Sequence, residues 1–274
     1  MQLGLGTVQF GQAYGISNIH GKVSRAEAAE ILLRAATDNI RILDTAASYG
    51  ESERVLSSLN TGSFRIITKT ISAKHGLASV VARARASAEK LKADTLLVHA
   101  AADLEHEGLW PALQSLKSEG IFRKIGISAY AADRPAHLAA RYEPDVMQLP
   151  ISLLDQRLVR DNTLATLKNI GVEVHARSIF LQGLLFLEQL PEKLAHVAGR
   201  LAVIREAIAE LGVTPLEAAL SFILQQTNVD VALVGVTSLA ELGEIIAVAA
   251  KPVPDLGWAS FAIEDEVALT PSLW

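Results

Sequence analysis

Short apolar runs alternate with longer amphipathic, alanine-rich stretches along almost the whole chain. The apolar runs cover residues 3–7, 41–44, 64–69, 95–99, 124–128, 146–148, 172–176 and 231–234. Each is short and bounded by polar or glycine-containing segments, which is the mark of a buried strand. The stretches between them repeat apolar positions at helical spacing. Ala28, Ile31, Leu32 and Ala35 supply one such face, in a helix that starts after Ser24. Further helices are expected over 51–59, 77–91, 107–118, 134–141, 155–169, 194–211, 215–226 and 239–249. Residues 9–21 are rich in Gly, Gln, Ser and Asn and read as a loop.

Three helix starts carry a capping-box pattern: Ser24 to Glu27, Thr214 to Glu217 and Ser238 to Glu241. In each, a hydroxyl can accept from a free backbone N–H while the glutamate reaches back to the cap residue. Pro215 at the first helical position strengthens the second.

Eight strands alternating with helices predict a parallel sheet closed into a (β/α)8 TIM barrel, an α/β fold with residues 1–274 as a single domain. The competing architecture is an open doubly wound sheet, which carries G-x-G-x-x-G after an early strand. Gly4-Leu5-Gly6-Thr7-Val8-Gln9 breaks that pattern, because Gln9 stands at the third glycine position.

Composition narrows the class. Of 274 residues half are hydrophobic, and aromatics are only 5%. That suits buried parallel strands under alanine-rich helices. The net charge of -5 contains no long single-sign run, so neither nucleic acid nor a membrane surface is an expected partner. No apolar stretch reaches about 18 residues. The absence of cysteine removes disulfides, thiolate metal sites and a cysteine nucleophile, and fits a cytoplasmic setting. The seven histidines form no pair at metal-ligand spacing, so no metal is expected.

Candidate chemistry sits at the ends of the strands, where (β/α)8 enzymes place their sites. Asp44, Lys69, His99, Ser128 and Gln148 each end a strand, and Tyr49 follows Asp44 in the turn Asp44-Thr45-Ala46-Ala47-Ser48-Tyr49-Gly50-Glu51-Ser52-Glu53. Singly, each has a structural role open to it: a turn cap, a solvated strand end, a packed ring. Together a carboxylate, a phenol, an ammonium and an imidazole suit carbonyl reduction. Hydride addition to a carbonyl leaves charge on oxygen, which needs an acid and hydrogen-bond donors. A free tyrosine titrates near pH ~10. A neighbouring ammonium favours its phenolate. Lys69 can do this to Tyr49, Asp44 can hold Lys69, and His99 can orient the substrate oxygen.

These residues resemble the aldo-keto reductase superfamily, and the likeness runs along nearly the whole chain. Its most specific part is Asp44 to Glu53, similar to D-T-A-x-x-Y-G-x-S-E. Gly4-Leu5-Gly6-Thr7 resembles the opening strand, Ile125-Gly126-Ile127-Ser128 the G-[IV]-S-N strand, and Met147-Gln148 the strand whose glutamine holds a carboxamide. Thr214-Pro215 with Ala218, Ala219 and Leu220 resembles the long late helix, and Val234-Gly235 the final turn. The resemblance implies a catalytic tetrad of Asp44, Tyr49, Lys69 and His99. It also implies an extended nicotinamide cofactor, usually NADP(H), bound without G-x-G-x-x-G. Gly6, Thr7, Asp44, Ser128, Gln148, Arg177, Ser178, Phe180, Gly235, Thr237 and Glu241 are the positions expected to hold it.

Three departures bear on that expectation. Ala129 stands where asparagine is common. Arg177 stands where many members stack a tyrosine on the nicotinamide; it can stack, meet the pyrophosphate, or join Glu173 and His175 in a buried polar layer. The last loop, Gly235 to Glu241, has no basic residue to grip a 2′-phosphate. Glu241 there can accept from a ribose hydroxyl, which favours NAD(H), or can simply cap its helix.

The resemblance implies a small-molecule carbonyl substrate, among them small aldehydes and sugar-derived carbonyls, and a monomer or weak homo-oligomer. Phe10, Tyr14, Tyr49, Trp258 and Phe261 are candidate pocket residues, and Ala100 suggests a roomy mouth. Two other classes stand beside the reductase. One is a nicotinamide-binding, redox-sensing regulatory protein with little turnover. The other is a lyase or isomerase that forms a Schiff base on Lys69.

Overall fold

The computed structural model describes residues 1–252 and 256–274. Val253, Pro254 and Asp255, in the tail that starts at Pro252, lie outside the described residues. The eight strands are β1 Gln2–Gly6, β2 Ile42–Asp44, β3 Arg65–Lys69, β4 Thr95–Val98, β5 Lys124–Ser128, β6 Val146–Pro150, β7 Glu173–Arg177 and β8 Val231–Gly235. They pair in parallel in sequence order, and β1 closes on β8 through Gln2 opposite Val231 to Gly6 opposite Gly235. The fold is a (β/α)8 barrel.

Side chains alternate across a strand, so residues two apart share a face. Ile42, Ile67, Leu97, Val146, Val231 and Leu233 make a small apolar cluster of their own inside the barrel. Asp44, Lys69, His99, Gln148 and Gly235 follow five of these residues at that spacing and so stand above the plug, at the C-terminal rim. Two glycines let the interior close. A Cβ on Gly126 would lie 2.2 Å from the Val146 carbonyl oxygen, and one on Gly4 would lie 2.8 Å from the Leu233 side chain. The larger core lies between the outward strand faces and the helices, with Leu5, Ile66, Leu96, Ile125, Met147 and Val174 fully or nearly fully buried.

Several elements differ from the periodic pattern. The helix expected over 155–169 breaks into Arg157–Arg160 and Thr163–Asn169. Asn162 between them is left-handed, at φ 61°, and the Asp161 carboxylate accepts from Thr163 N–H at 2.9 Å. The stretch 194–211 is a 3-10 turn, Glu192–Val197, followed by the helix Ala198–Glu210. The segment read as a loop from residue 9 begins inside a helical turn, Val8–Gly11. Among the described residues no single helix is long and apolar enough to cross a membrane.

Of the three capping boxes only Thr214 to Glu217 closes in both directions, with Glu217 N–H donating to Thr214 Oγ1 at 3.2 Å and Thr214 N–H to Glu217 Oε2 at 2.8 Å. Ser24 and Ser238 do cap their helices, accepting from Glu27 N–H at 3.1 Å and Glu241 N–H at 3.2 Å. Their glutamates reach elsewhere. Glu27 Oε1 accepts from Leu239 N–H at 2.6 Å, and Glu241 accepts from both N–H and Oγ1 of Thr237, at 2.6 and 2.8 Å.

Candidate active site

The turn after β2 is braced by its own polar residues. Ser52 Oγ donates to Thr7 O at 2.8 Å and sits 2.9 and 3.0 Å from the hydroxyls of Thr7 and Thr45. Thr7 Oγ1 donates to Asp44 O at 2.9 Å. Glu53 is buried and accepts from Thr68 Oγ1 at 2.7 Å, with Arg83 and Ser87 on its other oxygen. Gly11 packs against the same turn so closely that a Cβ there would lie 1.8 Å from the Tyr49 carbonyl oxygen. The ends of the motif, Thr45, Ser52 and Glu53, thus hold the middle, which presents Ser48 and Tyr49.

Asp44, Tyr49, Lys69 and His99 converge. Lys69, 1% exposed, donates from Nζ to Asp44 Oδ2 at 2.5 Å and to Thr45 O at 3.0 Å. Its ammonium lies 4.9 Å from the centre of the Tyr49 ring. Burial works against the charge on Lys69. The Asp44 carboxylate and the Tyr49 hydroxyl outweigh it and raise the amine above its ordinary value. Asp44 Oδ1 accepts from Gln148 Nε2 at 2.6 Å. The aspartate is therefore shared between the lysine and the glutamine.

The His99 ring stands edge-on to Tyr49, with ring centres 5.7 Å apart at 81°. Burial, then the Lys69 charge, lowers its pKa from 6.5 to about 4, so the imidazole is neutral near pH 7. Its Nδ1 lies 3.0 Å from Ser48 Oγ. Ser48 was not among the residues singled out from sequence; its place one residue before Tyr49 was the available signal.

A cavity of about 700 Å3 opens over this cluster. Its lining includes Tyr49, His99 and all the positions named as cofactor contacts: Gly6, Thr7, Asp44, Ser128, Gln148, Arg177, Ser178, Phe180, Gly235, Thr237 and Glu241. Lys69 lies beneath the floor. Of the pocket candidates, Tyr14 and Ala100 join Tyr49 in the lining. Phe10, Trp258 and Phe261 do not. Phe10 and Phe261 are in the core, and Trp258 packs against Phe222 and donates to Gln225. Packing claims these three, whereas Tyr14, Tyr49, Tyr130 and Phe180 line the cavity, so an aromatic side chain alone does not mark the lining. Polar residues Gln9, Gln12, Ser17, Asn18 and Gln182 line the mouth beside them. Burial raises the pKa of Tyr14, whose hydroxyl accepts from Gln182 Nε2 at 3.2 Å.

Arg177 is the only lysine or arginine among the described lining residues. It leans towards the β5 side. Its guanidinium sits 4.3 Å over the Tyr130 ring and donates to Ala129 O at 3.3 Å. Glu173 and His175 do not share its surroundings. At the opposite barrel end Glu173 accepts from Arg65 at 2.5 Å, from His175 Nε2 at 2.7 Å and from Lys124. The polar layer suggested for these three residues of β7 holds two of them, because a barrel strand spans both ends of the molecule.

A parallel barrel with an acid, a phenol, an ammonium and a neutral imidazole gathered at its C-terminal rim defines an enzyme-like site of the (β/α)8 class. The chain belongs to the Aldo/keto reductase family, whose model matches residues 2–263.

The chain is 29% identical over 154 residues to an aldo-keto reductase of Mycolicibacterium smegmatis, covering 52% of this chain and 54% of that protein. It thus spans about half the length of the first curated relatives it matches. A longer match, 27% identical over 271 residues, is to L-galactose dehydrogenase of Arabidopsis thaliana, covering 89% of this chain and 84% of that one. In fold it is similar to the holo form of an aldo-keto reductase from Bacillus halodurans, with a TM-score of 0.75 and 19% identity over 95% of this chain and 90% of that one.

Proposed function

We propose that the protein reduces aldehydes or ketones to alcohols with a nicotinamide coenzyme, and that Tyr49 is the general acid. The observation that carries this is the convergence of Tyr49 with the buried Asp44–Lys69 pair and the neutral His99 over one cavity.

The residues fit such a coenzyme. The Gln148 amide nitrogen is held by Asp44, which leaves its oxygen to accept from a carboxamide, beside Ser128. Gln9 Oε1 is a buried acceptor with no hydrogen-bond partner among the described residues, on the wall near Gly235. Arg177 supplies a cation for a pyrophosphate. When bound, the reduced nicotinamide supplies the hydride.

Charge that develops on the carbonyl oxygen is met by the Tyr49 hydroxyl and by the imidazole of His99. Tyr49 gives its proton to that oxygen and is left as a phenolate beside the Lys69 ammonium. Asp44 fixes the ammonium and balances its charge, so the cation persists without water around it. The same pairing argues against a Schiff base on Lys69, since an attacking amine must be neutral. The intact cluster likewise favours turnover over a purely sensing role.

NAD(H) is the coenzyme the charges favour. Among the described lining residues Arg177 is the one lysine or arginine, while Glu241 and Glu244 face the cavity at the β8 end. The hydroxyl- and amide-rich mouth suits a small polar carbonyl compound, and a sugar-derived one is consistent with the likeness to a protein named L-galactose dehydrogenase.

The test is NADH and NADPH consumption with a panel of small and hydroxylated aldehydes, comparing native protein with Tyr49→Phe. Loss of turnover in Tyr49→Phe, by about 10²-fold or more as for a general acid, with coenzyme affinity kept within about twofold, supports the assignment. A Tyr49→Phe protein with native turnover sinks it.

A further inference from the structure

The segments that follow β1 and β7 meet at the cavity mouth, and Tyr14 stands where they touch. The first segment is tied to the Tyr49 turn, because the Gly11 carbonyl oxygen accepts from Glu51 N–H at 3.3 Å. Three residues on, the Tyr14 carbonyl oxygen accepts from Asn18 Nδ2 at 3.1 Å. Asn18 Oδ1 accepts in turn from the N–H groups of His20 and Gly21, at 2.9 and 2.8 Å. The backbone that carries Tyr14 is thus fixed on both sides. The second segment is strained. Ser178, Leu181 and Gln182 have φ of 56°, 46° and 52°, in the left-handed region that costs a residue with a side chain. Ser17 N–H donates to Gln182 O at 3.4 Å, and a Cβ on Gly183 would lie 2.2 Å from Ser17 Oγ. These contacts hold Gln182 where its Nε2 donates to the Tyr14 hydroxyl at 3.2 Å.

A phenol that accepts from an amide still has its own proton to donate. Among the described residues the Tyr14 hydroxyl makes no other hydrogen bond. Tyr14 lines the same cavity as Tyr49 and His99. Burial, then the charge of Tyr49, raises the pKa of Tyr14, so it stays a donor. The two phenols differ in their neighbours. Tyr49 has the Lys69 ammonium 4.9 Å from its ring centre and can leave a phenolate. Tyr14 has a neutral amide at its oxygen and gives a hydrogen bond only.

We propose that Tyr14 is a substrate-specificity residue: its hydroxyl, oriented by Gln182, donates to a second oxygen of the substrate while Tyr49 meets the carbonyl, so that the site selects hydroxylated aldehydes and ketones over their deoxy counterparts. The inference rests on the reductase reading above and names the substrate class of that same site. Gln12, Ser17 and Asn18, which line the mouth around Tyr14, are polar and uncharged, as a neutral hydroxylated compound requires. An apolar aldehyde of equal length leaves the phenol proton without a partner, and the site discriminates against it on that account.

The test uses matched pairs, glyceraldehyde with propanal and glycolaldehyde with acetaldehyde, with NADH and with NADPH. The proteins are native, Tyr14→Phe and Gln182→Glu. Phenylalanine keeps the ring and removes the donor. Glutamate keeps the size of residue 182 but only accepts, so it draws the Tyr14 proton away from the cavity. The readout is the ratio of kcat/KM within each pair, which cancels any effect common to both members. Tyr14→Phe is expected to lower kcat/KM for the hydroxylated member by about 3- to 10-fold, the worth of one hydrogen bond. The deoxy member and the coenzyme affinity should stay within about twofold. Gln182→Glu should lower the ratio in the same direction although it keeps a bond to Tyr14, which a merely structural bridge would not do.

A folded Tyr14→Phe protein with the native ratio overturns the proposal, as does an equal loss for both members of each pair, which a displaced Tyr49 would give. Should Tyr14→Phe not fold, Gln182→Glu decides, and a native ratio there overturns the proposal. Tyr49-dependent turnover with an unchanged ratio leaves the reductase reading standing and removes only Tyr14. A native protein that consumes neither coenzyme with any aldehyde sinks the reading and the proposal together.

Discussion

Ser48 and His99 show how one hydrogen bond can set a reactive group. His99 is neutral, so one ring nitrogen carries a proton and the other does not. If Ser48 Oγ donates to Nδ1, 3.0 Å away, the proton sits on Nε2, the nitrogen that the proposed reaction needs as a donor to the substrate oxygen. Ser48→Ala is expected to lower kcat/KM about 3- to 10-fold, the worth of one neutral hydrogen bond. Ser48→Thr should restore it, and nitrogen NMR of the His99 ring should show the tautomers mixing in the alanine variant. Beneath it, Lys69 and Asp44 are a buried pair. Lys69→Met leaves an uncompensated carboxylate and is expected to cost about 3–5 kcal/mol in denaturant unfolding. Adding Asp44→Asn should recover part of that loss, because the two changes act on one interaction. The tetrad candidates were legible in the sequence because each ends a strand or follows one at fixed spacing. Ser48 was not, because a serine in a turn has a local role that sequence cannot distinguish from a distant one.

At the scale of elements, the site depends on the helical turn Val8–Gly11 pressed against the turn 49–52. Glu51 N–H donates to Gly11 O at 3.3 Å, and no side chain fits between the two backbones. Gly11→Ala is expected to destabilise the fold by about 1–3 kcal/mol as an overpacking change, and to lower turnover by shifting Tyr49. Thermal unfolding and kcat would check both effects. The contact involves two segments that sequence reads as an ordinary loop and a motif, and periodicity carries no information about which backbones touch. The same limit explains the broken helix at Asn162, where the apolar spacing runs on but the chain turns left-handed.

The molecule as a whole separates chemistry from stability along the barrel axis. The C-terminal rim carries the candidate site, and the other end carries Glu173 with Arg65, Lys124 and His175. Burial alone would raise the Glu173 carboxyl. Hydrogen bonds from His175, Arg65 and Lys124 win, and hold it far below the usual carboxylate range. Its stabilisation is therefore present above the ordinary value of 4.5 and lost as pH falls below it. His99 adds to the trend. Between pH 6.5 and about 4 the unfolded chain takes up the imidazole proton while the fold does not, so stability falls with pH across that window. The expected outcome is a thermal midpoint that drops progressively from pH 7 to pH 4. Glu173→Gln should be less stable at pH 7 and should flatten the acid end, and His99→Gln should flatten the window nearer pH 6. A midpoint independent of pH in the native protein would contradict both assignments.

The sequence by itself determined the eight βα units, the direction of the sheet and the rim positions of Asp44, Lys69, His99 and Gln148. Strand spacing and the period-two alternation of side chains are local properties written in hydrophobic pattern. Closure of the barrel decided the rest. It shared Asp44 between Lys69 and Gln148, sent Glu173 and Arg177 to opposite ends, drew Trp258 and Phe261 into packing, and brought Glu27 to a helix 212 positions away. Those contacts join residues far apart in the chain, and only the packing of complete elements against one another fixes which of the possible partners is within reach.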